Sequence, residues 1–327
     1  MIKIYAVLAA WFLALFTPSV WAQHCNPAPG DVAKLVEIRP KFHTVSGPLA
    51  AFDPCQSSVK LEKPLNKDKP ALMIIVHGGG GLDTAARNAA QAFQEMGMAT
   101  LVFDAYEHNG FRQGFRFWSA QASNEARQRM IYKVALGAYE WAIKQNDINT
   151  RQLYFYGVSN GATVLANLAA ALSPEHVKGI FAEGMPGMGL GLPDELKVPL
   201  RLVYGKLDNY GGEKEDDWIW TRQARCITNT PSFIHPKGNA ERCNALVNRE
   251  NLTPQPIEWF KAQKAKGANI DIWFYDQAAH GIFVGPVQQN MLTYGTDMKR
   301  YAWVGADRSA REKLLKDIQQ YFKHQSF

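Results

Sequence analysis

The pattern of apolar and polar positions changes character at Pro70. Downstream of it, short continuous apolar runs alternate with longer stretches in which apolar residues recur at three- and four-residue steps. The runs are Ala71–Val76, Thr100–Phe103, Leu153–Tyr156, Lys178–Ala182, Leu200–Tyr204 and Ile270–Tyr275. Ala71–Val76, without polar interruption, reads as a strand buried on both faces, the signature of a parallel sheet, and the other runs read as strands beside it. Between them, Asp83–Met96 predicts a helix with Asp83 as N-cap. Ser123–Lys144 carries Ala126, Met130, Val134, Ala138 and Trp141 on one face and predicts a long amphipathic helix. Gly161–Ala171, Pro256–Lys266 and Ser309–Phe322 complete the set. Strands alternating with helices predict an α/β fold, a mostly parallel sheet flanked by helices on both faces.

Two regions fall outside this alternation. Residues 23–70 are rich in proline and turn residues and read as an N-terminal extension with one or two edge strands. Residues 209–255 read as an insertion into a single domain spanning 23–327. Ahead of both, Lys3 precedes an apolar run, Ile4–Phe16, which ends at Thr17-Pro18-Ser19; Val20-Trp21-Ala22 follows as a small-x-small site. This predicts a signal peptide over residues 1–22, cleaved after Ala22, and a secreted or periplasmic protein. The alternative, a retained anchor, needs an apolar span of about 20 residues, and no later segment is long and apolar enough to supply one.

The cysteines fit export. All four (Cys25, Cys55, Cys226 and Cys243) lie beyond the cleavage point, and an even number in an oxidising compartment reads as two disulfides. Sequence proximity favours Cys25–Cys55 and Cys226–Cys243 among the three possible pairings. No CxxC spacing or matching histidine pair suggests a metal site. The net charge of +6 comes from scattered basic residues with no Lys/Arg block, which argues against a nucleic-acid partner.

The chemistry is carried by Gly157-Val158-Ser159-Asn160-Gly161, set between the strand LYFY and the helix ATVLANLAAAL. G-x-S-x-G between a strand and a helix is a nucleophile elbow. Glycines two positions either side of the serine are needed because side chains there would collide with neighbouring backbone. A serine needs a base, and His280, in a loop after Ile270–Tyr275, is the histidine placed to supply it; His176, His235 and His324 fall too early, in the insertion and in the tail. The acid is expected between them. Asp208, just past Leu200–Tyr204, is the choice, with Glu183 as competitor. His77-Gly78-Gly79-Gly80-Gly81 follows the first strong strand, as an oxyanion loop does. Gly79 and Asn160 are the expected oxyanion donors. Tyr106–Trp118 should overhang the site, so Tyr106, Arg112, Arg116 and Trp118 are candidates for substrate contacts.

Taken together, HGGGGLD, VFDAY, GVSNGA, VYGKLD and YDQAAHGIF resemble the dienelactone hydrolase family of α/β-hydrolases, over residues 71–285. The best-known members carry cysteine at the elbow, where this chain has Ser159. The resemblance implies the α/β-hydrolase fold, a Ser159–Asp208–His280 triad, and hydrolysis of small-molecule carboxylic esters or lactones without a cofactor. A catalytically silent binding or scaffold protein, a serine peptidase and an acyltransferase are the alternatives.

Overall fold

The computed structural model describes residues 49–111, 124–185, 190–208, 256–294 and 298–325. The chain divides into two compact units, Met1–Lys34 and Leu35–Phe327, of which the first lies wholly outside the described residues, together with the expected signal peptide. The insertion over 209–255, Arg112, Arg116, Trp118, Cys25, Cys226 and Cys243 also lie outside them. Among the described residues no helix is long and apolar enough to cross a membrane.

The second unit is built on a seven-stranded sheet: β1 (Lys60–Glu62), β2 (Leu72–Val76), β3 (Ala99–Val102), β4 (Leu153–Val158), β5 (Val177–Glu183), β6 (Leu200–Gly205) and β7 (Ile270–Tyr275), in the spatial order β1-β3-β2-β4-β5-β6-β7. Strands β2 to β7 run parallel; β1 joins the edge antiparallel to β3. All six apolar runs are strands, and β1 is an edge strand in the N-terminal extension, as expected there. The helices are α1 (Thr84–Glu95), α2 (Ala105–His108), α3 (Asn124–Ala142), α4 (Asn160–Leu168), α5 (Pro256–Ala265) and α6 (Arg308–His324). Asp83 caps α1 as expected, its carboxylate accepting the Ala86 N–H at 3.1 Å.

Every residue of β2 and β4 is buried, which is why these strands read as continuous apolar runs. Met73 and Ile75 share one core with Ala86, Ala89 and Phe93 of α1 and with Leu314, Ile318 and Tyr321 of α6. Leu72, Ile74 and Val76 alternate to the other face, the side covered by α3 and α4. From β2 the chain turns outward one way to β3 and then crosses to β4 on the other side. This reversal is a topological switch point, where adjacent loops diverge and leave a crevice at the carboxyl ends of the strands. The glycine loop leaves β2 there, and the Ser159 turn leaves β4 beside it, with Val76 paired to Gly157.

The hydrophobic pattern predicts no element between Tyr275 and Ser309. The structure has an antiparallel hairpin there, β8 (Gln288–Tyr294) and β9 (Met298–Val304). Its sequence, QQNMLTY and MKRYAWV, lacks the clean apolar alternation that marks a half-buried strand. The hairpin ends against the His280 loop: Trp303 O accepts the His280 N–H, and His280 O accepts the Gly305 N–H at 2.9 Å.

Candidate active site

Ser159 sits between β4 and α4 at φ 57° and ψ −120°. A non-glycine residue at positive φ is strained, by roughly 1–3 kcal/mol, and persists here because both flanks are over-determined. A Cβ on Gly161 would lie 2.5 Å from the carbonyl oxygens of both Val76 and His77, and one on Gly157 would meet Leu165 and the Gly161 backbone. The collision inferred from the sequence is therefore real, and it involves the strand that carries the glycine loop. Gly161→Ala is expected to destabilise the fold by several kcal/mol, about 3–5, because the obstructing atoms are backbone. A chemical-denaturation midpoint within error of wild type would contradict this.

The Ser159 N–H donates to Glu183 O at 2.9 Å, extending the β4–β5 ladder by one step. That leaves the next N–H, on Asn160, as the first of α4, without an intrahelical acceptor. Opposite it lies Gly79. A Cβ on Gly79 would stand 3.0 Å from Asn160 Nδ2, so the glycine loop and the start of α4 are in close register. The two residues expected from the sequence to supply oxyanion donors are thus neighbours, Gly79 lying against the Asn160 side chain.

His77 is fully buried and structural. The Ala105 N–H donates to its Nε2 at 2.9 Å, so the ring proton is on Nδ1, which donates to Gly78 O at 2.7 Å. Asp104 supports the same corner, its Oδ2 accepting the Leu82 N–H at 3.1 Å and its Oδ1 the Tyr106 N–H at 2.9 Å. These bonds explain why HGGGGLD and VFDAY occur together: the end of β3 holds the loop after β2.

His280 and Asp208 are together. His280 Nδ1 lies 3.1 Å from Asp208 Oδ2, with both residues buried. Burial opposes protonation of the ring. The Asp208 charge and hydrogen bond, with the charges of Glu183 and Asp83, outweigh it and hold the His280 pKa above its ordinary value. Glu183, the competitor for the acid, is engaged elsewhere: its Oε2 accepts from Tyr156 OH and its Oε1 from the Ile282 N–H at 2.9 Å. Gly184, at φ 58°, lets β5 end directly against the imidazole; a Cβ there would stand 2.7 Å from His280 Nδ1.

No family model matches the chain, and no curated protein matches it. Solved structures are similar to it. A dienelactone hydrolase-like promiscuous phosphotriesterase from metagenomic libraries matches with a TM-score of 0.50 at 13% identity, over 81% of this chain and 91% of its own. The protein has the α/β-hydrolase fold. A dienelactone hydrolase from Anabaena variabilis gives a TM-score of 0.45 at 15% identity, over 81% and 90% of the two chains. Est1E from Butyrivibrio proteoclasticus, with ferulic acid bound, gives 0.46 at 17%, over 82% and 94%.

Of the candidates for substrate contact in this α/β-hydrolase, Tyr106 falls among the described residues: it is buried, packs on His77 with ring centroids 5.0 Å apart, and donates from its hydroxyl to Gly79 O at 3.3 Å. It anchors the glycine loop from beneath. Burial raises its pKa well above the ordinary phenol value. Two residues of α3 escaped sequence reasoning. Gln128, fully buried, donates to Asn160 Oδ1 at 3.0 Å and accepts the Leu190 N–H at 2.9 Å. The Arg127 guanidinium reaches the glycine loop, with Nη1 3.7 Å from where a Gly79 Cβ would be. Only their place in the first turns of the helix ahead of the elbow hinted at either. Among the described residues no group of His, Cys, Asp or Glu side chains is placed to hold a metal ion.

Proposed function

We propose that this α/β-hydrolase is a serine hydrolase of the dienelactone hydrolase family, cleaving carboxylic esters or lactones through an acyl-enzyme on Ser159. The observation that carries the reading is the buried His280–Asp208 pair on the same sheet edge as a positive-φ serine and a glycine loop. Such an arrangement suits two-step acyl transfer. Ser159 Oγ attacks the ester carbonyl carbon while its proton passes to His280 Nε2. The carbonyl oxygen takes the π pair and is held by the N–H groups of Gly79 and Asn160. The tetrahedral centre then expels the alcohol oxygen, which takes the proton from His280. Water attacks the acyl-enzyme with His280 again as base, and Ser159 leaves as the acid forms. Asp208 holds Nδ1–H and stabilises the imidazolium.

The raised His280 pKa gives the reading a direction with pH. The ring works as a base only when neutral, so kcat/KM is expected to rise with pH through a midpoint above the ordinary histidine value of about 6.5. Turnover of p-nitrophenyl acetate and butyrate across pH 5–9 tests this. Hydrolysis with a midpoint in that direction supports the reading; folded protein that turns over neither ester, nor a simple lactone, would overturn it. Added alcohol separates hydrolysis from acyl transfer by the product formed.

The reading includes export. Cleavage after Ala22 would leave Gln23 as the mature N-terminus, with Cys25–Cys55 and Cys226–Cys243 as disulfides. In support, Cys55 is not a free thiol. The intact mass of the exported chain is expected to match residues 23–327, lighter than the all-thiol form by the hydrogens of two disulfides. A mass that retains residues 1–22 would contradict it.

A further inference from the structure

Glu183 is a buried carboxylate that the proposed mechanism does not use, and it touches both halves of the site. Its backbone oxygen accepts the Ser159 N–H at 2.9 Å. Its side chain accepts the Ile282 N–H at 2.9 Å, two residues beyond His280. Tyr156 OH, from the neighbouring strand β4, fixes the remaining carboxylate oxygen at 2.5 Å. The residue is 1% exposed, and the next residue, Gly184, closes against the imidazole. A buried carboxylate carries a desolvation cost that an apolar side chain would not. Here it spans the short path between the serine turn and the histidine loop, which no apolar side chain could bridge by hydrogen bonds.

We propose that Glu183 is a positioning residue that sets His280 in register with Ser159, its main chain holding the serine turn and its carboxylate holding the histidine loop. The inference rests on the reading of Ser159 and His280 as nucleophile and base. Glu183 acts through Ile282 and does not touch the reacting atoms. Among the described residues, the charged and titratable groups facing it are Tyr156 from β4, Asp208 beyond β6 and His280 itself. Burial raises its own pKa, against the Tyr156 and Ile282 hydrogen bonds and the His280 charge, which lower it. Its charge in turn contributes to the raised His280 pKa.

Two variants separate reach from charge. Glu183→Asp keeps the charge but retracts the carboxylate by one methylene, so it cannot hold both Tyr156 and Ile282. Its kcat on p-nitrophenyl acetate is expected to fall about 10²-fold with KM little changed, the size of effect that a misplacement of about 1 Å produces. Glu183→Gln keeps the reach and the Ile282 bond but removes the charge. It should retain kcat within about tenfold, while the His280 midpoint, followed by NMR of ¹³C-labelled histidine and assigned against His280→Asn, moves to lower pH. A merely structural residue would lower melting temperature in both variants and move neither readout. Folded Glu183→Asp with full kcat, or folded Glu183→Gln with an unmoved His280 midpoint, overturns the proposal. Where either variant fails to fold, Tyr156→Phe removes a single hydroxyl from the same bridge. It is expected to lower kcat and the His280 midpoint in the same directions by less, and no change in both overturns the proposal. The NMR readout needs no turnover. If the wild-type protein hydrolyses no ester, the proposed function falls while the midpoint still decides whether Glu183 sits against His280 as described.

Discussion

Replacing Ser159 by alanine is expected to lower kcat/KM on a simple ester by about 10⁴–10⁶ while leaving the melting temperature within a few degrees of wild type. The size follows from the arrangement. With the hydroxyl gone, the proposed oxyanion donors and the His280–Asp208 pair remain but have nothing to activate except water. The fold should tolerate the change because Ser159 is only half-buried and its backbone bond to Glu183 O is kept. Steady-state kinetics alongside thermal melts check both parts. A variant that keeps more than a tenth of wild-type activity would mean that another nucleophile does the chemistry.

The second large effect is at Asp208. Asp208→Asn is expected to cost about 10⁴ in kcat, with little change in the backbone. An asparagine amide would donate to His280 Nδ1 and drive the ring proton to Nε2, where it blocks acceptance of the serine proton. Loss of the Asp208 charge would also lower the His280 pKa, so the remaining activity should have its midpoint at lower pH than wild type. Glu183 cannot take over, because Tyr156 and Ile282 occupy its two oxygens. A pH–rate profile of the variant checks both. A loss of less than tenfold would move the acid away from Asp208, with Glu183 the first place to look.

The parts of this molecule that were legible in the sequence are those marked by distinctive residue types at fixed places in the alternation of strands and helices. Strands β2, β3 and β4 are buried at every position, so they announce themselves without alternation, while β7, with Asp271 exposed, is marked by its Ile, Trp, Phe and Tyr content. The elbow is legible because the glycines at 157 and 161 and the serine between them are forced by one tight turn, whose obstructing atoms come from the adjacent strand. Asp208 could be placed because an acid past a strand end and a histidine past the next strand share one sheet edge, and the structure pairs them at 3.1 Å.

What was not legible depends on long-range contacts between residues of unremarkable type. Glu183 could be read only as a competing acid, since its partners Tyr156 and Ile282 are 27 and 99 positions away. The bond from the Tyr106 hydroxyl to Gly79 O joins residues 27 positions apart, and neither marks the other in the sequence. Gln128 is marked only by its place in the helix ahead of the elbow; its meaning comes from Asn160 and Leu190, which the fold brings to it. The β8–β9 hairpin was hidden by its lack of clean apolar alternation, although it braces the loop that carries His280.

Everything proposed for this site depends on Ser159 being an activated nucleophile. Intact-mass analysis of the folded mature protein after treatment with a fluorophosphonate tests it without any assumption about the natural ester. A single adduct is expected on wild-type protein, none on Ser159→Ala, and slowed labelling of Asp208→Asn. Folded wild-type protein that takes up no adduct, or a Ser159→Ala variant that is labelled as fast as wild type, would contradict it.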